Sequence, residues 1–497
     1  MCIPKTLLII GILSIAIPSY AISYSLGGST EIRETIEQDG STPHEKTLTR
    51  IRLRGNIDLT TWLRCKGEIL AANRGGISQH SRPNLEQQWN TFQRANPLFE
   101  FEEAYCELSQ PRWNIAVGKQ KFAWGKLDSY QPNDLLNSER LTDPFLDDEN
   151  ERKIGSPAVS INLYPTSWLP EETKFTFVWE PLYTPAHFPY PDKRWFPPAA
   201  NVGDYVSIPS GTIILPDRTY APGFSVPMHN NITNDSQSFR FDRSTWAMRA
   251  STLIGAADTA LYYFHGIDPQ PTFELDTVVR GVPDQSASPL GIKNLSAITT
   301  LRPSFHVIDS FGADIAYPLG DFTFRAEGAY IRGRAFNRDL SSVLTSRETT
   351  SSFGLITTAL QHGAGSVAIP ATSYILSDVI EWGVGGDFVR NNGIVLLQIN
   401  QSALLSSSAT GLLIPRIDTR LLATLQKDWP DYGITTKLNL LHGIENSYIV
   451  MLPRVAYSVW SDLKLEVGYL KIAGRKSSII GQYNDRDQVF VRALYSF

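Results

Sequence analysis

The sequence predicts an all-β chain: a single closed antiparallel barrel of about 18 strands, with 16 as the alternative count, crossing a membrane. Three observations carry this expectation. Apolar and polar residues alternate with a period of two through most of the chain. The breaks between alternating stretches are by turns short and long. The first 21 residues have the three parts of a secretory signal.

At 497 residues a length prior suggests about three soluble domains, but barrels are the stated exception to it. No stretch beyond the N-terminus reaches the roughly 18 apolar residues of a membrane helix. A barrel remains open at a slightly negative mean hydropathy, because alternation dilutes the signal. The net charge of −5 is weak for this length and basic runs are lacking, so nucleic acid is not an expected partner. Of three cysteines, Cys2 lies in the signal, and two cannot build a disulfide scaffold.

The opening "MCIPKTLLIIGILSIAIPSYA" has Lys5 as its positive region, Leu7 to Ile17 as its apolar region, and Ser19 and Ala21 as small residues before a cut. Residues 1–21 are therefore expected to be a signal peptide and 22–497 the barrel. Alternating stretches follow at 22–34, 46–58, 62–73, 98–109, 113–123, 156–165, 173–182, 243–254, 257–267, 299–317, 321–335, 375–389, 393–405, 414–428, 432–443, 447–459, 462–475 and 487–497. Breaks such as "LTT", "QPR", "GAA", "YPLGD", "RNNG", "WPDY" and "WSD" have turn chemistry. The breaks 74–97, 124–155, 183–238, 268–298 and 336–374 are long and polar. Short turns on a periplasmic rim and long loops on an extracellular rim fit an outer-membrane barrel, and an even strand count leaves both chain ends on one side.

Parity separates the two faces. In 414–428, Ile417, Leu421, Ala423 and Leu425 oppose Arg416, Asp418, Arg420 and Gln426. In 462–475, Leu463, Leu465, Val467 and Tyr469 oppose Lys464 and Glu466. A charge at the bilayer midplane costs roughly 2–4 kcal/mol on a barrel's lipid face. The apolar face should then meet lipid and the charged face a wet lumen. The chain stops on "VFVRALYSF", a two-faced strand with an aromatic last residue, as a closed barrel would allow.

These features resemble the porin-like outer-membrane barrels of Gram-negative bacteria, and more closely the alginate-export-type barrels and their relatives. The resemblance rests on Glu103-Ala104-Tyr105, Gly118-Lys119-Gln120, Trp124-Gly125, Asp128 and Asp134-Leu135-Leu136-Asn137, with "ALYYFHGIDPQPTF", "FRAEGAYIRGR" and "DRDQVFVRALYSF". It implies the barrel fold, the outer membrane as location, and the barrel-assembly machinery as a partner that reads Tyr495 and Phe497. It departs from the alginate exporter's strongly basic lumen, since the basic residues here are offset by acidic ones.

The expected lumen-lining residues are Arg50, Arg52, Arg54, Arg64, Lys66, Arg249, Arg325, Glu327, Asp387, Arg416, Asp418, Arg420 and Arg454. Arg50, Arg52 and Arg54 share one face beside Arg64 and Lys66 on the next strand, which would favour anions unless acidic neighbours pair with them. Loop 183–238, rich in Pro and aromatics, is a candidate to fold inward and narrow the pore. Asp143, Asp147, Asp148, Glu149 and Glu151 offer oxygen ligands to calcium but lack a calcium loop's spacing, so a solvated acidic loop is the stronger expectation. Cys65 and Cys106 fall at similar heights on neighbouring strands, where either a disulfide or two lipid-facing thiols would fit.

No catalytic motif, haem site or nucleotide site is present, so neither an enzyme nor a cofactor is expected. The expected function is a passive channel, for diffusion or export of small or oligomeric hydrophilic solutes. The alternatives are a structural sleeve or receptor for a partner protein, and an uptake route for hydrophobic compounds.

Overall fold

In a computed structural model the chain forms one closed barrel with a smaller sheet over it. The structure describes residues 22–37, 47–74, 98–165, 169–170, 172–187, 194–195, 197, 205–208, 210, 223–232, 243–284, 286, 290–339, 343, 347–369, 372–406 and 411–497. The signal at 1–21 lies outside them.

The strands run in chain order as β1 (Ser23–Glu37), β2 (Thr47–Asp58), β3 (Leu63–Arg74), β4 (Leu98–Gln110), β5 (Trp113–Gln120), β6 (Ser156–Leu163), β7 (Lys174–Glu180), β8 (Tyr205–Ile208) and β9 (Phe224–Ile232). Next come β10 (Thr245–Ile254), β11 (Ala257–Ile267), β12 (Thr272–Pro283), β13 (Ile292–Ser304), β14 (Val307–Leu319), β15 (Phe322–Asn337), β16 (Ser366–Ile369) and β17 (Tyr374–Arg390). The last are β18 (Gly393–Leu404), β19 (Ile417–Trp429), β20 (Ile434–Gly443), β21 (Tyr448–Ser458), β22 (Leu463–Gly474) and β23 (Gln488–Ser496). Among the described residues the α-helices given bounds are α1 (Glu149–Arg152) and α2 (Arg347–Gln361).

Eighteen strands belong to the barrel. Every neighbouring pair is antiparallel, and β23 closes the ring on β1, with Glu37 opposite Gln488 and Ser29 opposite Ser496. Closure leaves no open edge, which is what lets a sheet sit in hydrocarbon. The last residue is held as well: Phe497 N–H donates to Gly28 O at 3.0 Å, and Gly28 N–H donates to Phe497 O at 2.8 Å.

Burial confirms the facing. On β2, Ile51, Leu53 and Ile57 are 41, 40 and 44% exposed, whereas the intervening Arg50 and Arg52 are 6 and 5% exposed. A protein in water would bury the first set and expose the second, so the apolar face is the lipid face. Trp62, Trp113, Tyr317, Phe322, Trp429, Tyr457, Trp460, Tyr495 and Phe497 are exposed near the short-turn ends, an aromatic girdle at the membrane surface. Cys65 and Cys106 lie directly opposite each other on β3 and β4. They are joined by a disulfide with Cα atoms 4.0 Å apart.

Two expectations change here. The alternating stretch at 299–317 is not one barrel strand: Ile292–Ser304 and Val307–Leu319 are separate, and only the second is in the wall. The long breaks are not all irregular, because they contribute a second sheet in the order β16-β12-β13-β9-β8. β12 alternates as a barrel strand does, with Phe273, Leu275 and Val279 buried. Its buried face is covered by α2, through Ile356 and Leu360, which are 3 and 0% exposed and one helical turn apart. Periodicity of two marks a two-faced strand without saying which sheet it joins.

Candidate functional site: a segment across the lumen

The chain between β5 and β6, residues 121–155, turns into the barrel. Its entry and exit are tied together by Asn137. That side chain accepts from Phe122 N–H at 2.5 Å and donates to Gln120 O at 3.3 Å and Ile154 O at 2.9 Å. One amide thus satisfies three backbone groups at the base of the loop.

From this base the segment reaches the far wall. β15 and β19 lie six and nine strands from β5, counted along the pairings of the 18-strand ring. The Glu327 carboxylate on β15 accepts backbone N–H groups from Lys126 at 2.9 Å, Leu127 at 3.3 Å and Asn133 at 2.8 Å. A buried carboxylate holding several N–H donors is a charge-assisted anchor. It needs a close backbone approach, which Gly125 permits: its φ is +97°, and a Cβ there would stand 2.7 Å from a Glu327 oxygen. On β18, Gln398 accepts from Asp128 N–H at 3.2 Å, and Asn400 donates to Tyr130 O at 3.0 Å. On β19 the Arg420 guanidinium lies 4.5 Å from the centre of the Tyr130 ring. Arg325 joins Asp128 at 2.9 Å to Asp387 at 2.8 Å.

The returning half rests on the first strands. Arg33 pairs with Asp143 and, at 3.0 Å, with Asp147. Arg50 meets Asp147 at 2.8 Å, Glu151 at 3.3 Å and Glu31 at 3.4 Å. Arg52 meets Glu102 at 3.0 Å, Glu68 at 3.1 Å and Glu151 at 3.5 Å. Arg140, from the segment itself, pairs with Glu100 and with Glu102 at 3.2 Å. Burial pushes Glu149 up to about 7, with the nearby Glu139 charge adding to the effect. It pushes Asp134 up to about 6 against the pull of Lys153.

Between these attachments the segment packs against apolar wall. Trp124, Leu135 and Leu136 join Val178, Ala247, Ala260, Tyr262, Phe264, Ile308, Ala329, Ile331, Val379 and Leu404 in one cluster. Leu146 and Trp195 join Leu452, Leu470, Ile472, Tyr483 and Phe490 in another. The inner face is therefore not charged and wet throughout, as parity suggested. Where the segment lies against it, the wall is apolar and dry, because a chain inside the barrel supplies a second surface to bury.

The expected lumen residues divide accordingly. Arg50 and Arg52 are inward but capped by the segment, so they do not present an open positive field. Arg54 pairs with Glu68 at 3.0 Å, Arg64 with Asp58 at 2.5 Å, and Lys66 with Glu103 at 2.5 Å. Arg249 lies over the Tyr262 ring. Glu327, Arg325, Asp387 and Arg420 hold the segment, and Asp418 pairs with Arg420. Arg454 donates to Asn439 at 3.0 Å. Arg416 is not in the wall: it precedes β19, is exposed, and donates to Leu404 O at 3.2 Å.

The acidic stretch 143–151 is not the solvated loop expected, since Asp143 and Asp147 are buried. Asp143, Asp147 and Glu151 answer Arg33, Arg50 and Arg52, and among the described residues no group of three or more acidic, His or Cys side chains is placed to hold a metal ion. The segment seen to cross the lumen is 121–155. Most of 183–238 lies outside the described residues. His187 joins the crossing segment, donating its N–H to Glu139 O at 3.0 Å and accepting from Leu141 N–H at 2.7 Å. Sequence reading missed Arg33, Glu100, Glu102 and Arg140. The available signal was an acidic run matched in the same chain by inward arginines at alternate positions.

No protein-family model and no curated protein matches the chain. Solved structures similar to it include OccAB1 of Acinetobacter baumannii, 7% identical with a TM-score of 0.48, covering 96% of each chain. OpdK of Pseudomonas aeruginosa, solved with vanillate, is 10% identical with a TM-score of 0.45, covering 96% of this chain and 98% of that one. OmpF of Salmonella typhi, solved with daunomycin, is 9% identical with a TM-score of 0.41, covering 95% of this chain and 97% of that one. The closed barrel itself rests on the strand pairing described above.

Proposed function

We propose that this chain is a non-enzymatic outer-membrane channel through which small hydrophilic solutes pass down their gradients. The observation that carries the reading is the crossing segment: residues 121–155 are anchored to opposite walls of a closed barrel, so the lumen is narrowed by a built structure. A constriction with fixed polar walls sorts solutes by size and field. Residues 1–21 would be removed on export, and Tyr495 and Phe497 would be read by the assembly machinery. The inward arginines and carboxylates speak against a route for hydrophobic compounds.

A second reading has its own support. The apolar clusters fill part of the barrel, as a sleeve or receptor for a partner protein would tolerate. Single-channel recording on the purified full chain separates the two. Steady ohmic conductance is the expected result, and Glu327→Ala, which removes the carboxylate anchor of residues 126–133, should enlarge it. A folded barrel that carries no current in either form would favour the receptor.

A further inference from the structure

The bond between Cys65 and Cys106 lies where the wall needs a register that no tight turn supplies. Short turns join β2 to β3 and β4 to β5, but β3 and β4 are joined through residues 75–97, and a connection that long does not fix pairing as a tight hairpin does. The β3–β4 ladder also changes step. Toward the short turns, Cys65 faces Cys106 and Gly67 faces Ala104; toward the other rim, Ile69 faces Phe101 and Ala71 faces Phe99, so Glu102 is the extra residue of a bulge. Carrying the first register through would set Glu102 and Glu100 opposite Ile69 and Ala71, against lipid. Carrying the second through would set Glu103 opposite Gly67, also against lipid. With the step, Glu100, Glu102 and Glu103 are all buried inward while Phe99 and Phe101 stay exposed outward. These carboxylates serve the crossing segment and its root: Glu100 and Glu102 take Arg140, Glu102 also takes Arg52 at 3.0 Å and Lys121 at 3.1 Å, and Glu103 takes Lys66.

The bond is on the lipid face. Cys65 stands opposite Ile57, and Cys106 opposite Val117, both exposed outward. Cys65 is three residues from Trp62 of the girdle and Val117 four from Trp113, which puts the sulfurs roughly 10 Å along the strands into the apolar band. We propose that the Cys65–Cys106 bond is a register lock for β3 and β4, closed in the aqueous, unassembled chain and sealed by membrane insertion. The reaction needs an oxidant that itself carries a disulfide. One cysteine thiolate attacks a sulfur of the oxidant and expels a thiolate; the second cysteine thiolate attacks the first cysteine's sulfur in that mixed disulfide and expels the other. The chain gives up two electrons and two protons, and the oxidant leaves as two thiols. Each attack passes through a thiolate, a charge that hydrocarbon penalises, so the bond has to close before β3 and β4 enter lipid. The proposal holds whether or not the barrel conducts.

The test uses the full chain, reduced and unfolded in urea and then folded into phosphatidylcholine vesicles. Oxidised glutathione is added either before folding or after it, and the mass shift on alkylation counts free thiols. Added before folding it should close the bond; added to the inserted, reduced barrel it should act about tenfold more slowly or worse. Equal rates would overturn the order of events. The lock is read by amide hydrogen exchange in three inserted forms. These are the oxidised wild type, Cys65→Ala/Cys106→Ala, and that variant with Leu63→Cys and Leu108→Cys added and oxidised, a pair directly opposite in the same register and on the same face. Losing the native bond should quicken exchange at 100–104 and 139–141 about tenfold or more, as removal of a long-range cross-link does, and leave 309–317 unchanged. The relocated bond should restore protection. Equal exchange in all three forms, or a loss that the relocated bond does not reverse, would overturn the lock. If the cysteine-free chain fails to insert, insertion of the oxidised relocated form supports the lock and its failure overturns it.

Discussion

The two attachments of the crossing segment differ in kind. On β1 and β2 it is held by buried arginine–carboxylate contacts. On β15 and β18 it is held mainly by backbone N–H and C=O groups meeting Glu327, Gln398 and Asn400, with one partly exposed ion pair, Arg325 to Asp128. The first attachment is expensive to desolvate and severe to break from one side, since the remaining charge stays buried without its counterpart. The second spreads its load over several ordinary hydrogen bonds, with one carboxylate at the centre. The comparison suggests a stiff root at the arginine wall and a more yielding tip at the far wall.

The largest expected effect breaks the root. Arg50→Ala opens a cavity and leaves Asp147 and Glu31 with Arg33 alone and Glu151 with Arg52 alone, and should lower the opening free energy of residues 143–151 by about 3 kcal/mol, the lower end for breaking a buried ion pair. Amide hydrogen exchange of that stretch measures it, and protection equal to wild type would refute a stiff root. The tip comes next. Glu327→Ala leaves N–H donors of Lys126, Leu127 and Asn133 without their acceptor, and should cost about 1–3 kcal/mol if water enters to replace it. Exchange should quicken at 126–133 while 143–151 stays protected, and simultaneous loss at both ends would mean that the two attachments are one unit.

A smaller effect is set by pH. Glu149 has its protonation raised from the ordinary 4.5 to about 7 in the folded segment. The folded state therefore binds the proton more tightly than the unfolded one, so this group's contribution to stability falls as pH rises from about 4.5 to about 7. Protection of 139–152, corrected for intrinsic exchange, should be lower at pH 8 than at pH 5, and Glu149→Gln should flatten the difference. The smallest effect belongs to the short-turn rim. Arg64 and Asp58 form an exposed pair whose attraction is screened by water, and Arg64→Ala should leave melting in detergent nearly unchanged.

Much of the wall was legible in the sequence because a strand exposed to lipid on one side writes its facing in alternate residues. Ile51, Leu53 and Ile57 against Arg50 and Arg52 need no structure to assign. The spacing from Trp124 to Asn137 was visible as a motif, but its role was not. Trp124 packs on Tyr262, Gly125 meets Glu327, and Asn137 ties the loop's own base, and each contact spans from about 15 to about 200 residues of sequence. The same distance hid the pairing of the acidic run with Arg33 and Arg50. The second sheet was hidden for another reason: β12 and β13 alternate as wall strands do, and local periodicity has no record of which sheet a strand will join.

By itself the sequence determined a two-faced, many-stranded, closed wall, since lipid outside punishes a wrong face at every second residue and a turn must follow each crossing. Only the tertiary structure decided what fills that wall. The loop that enters and the arginines it neutralises depend on long-range contacts whose energies are set by burial and register, and neither quantity is written in any local stretch of chain.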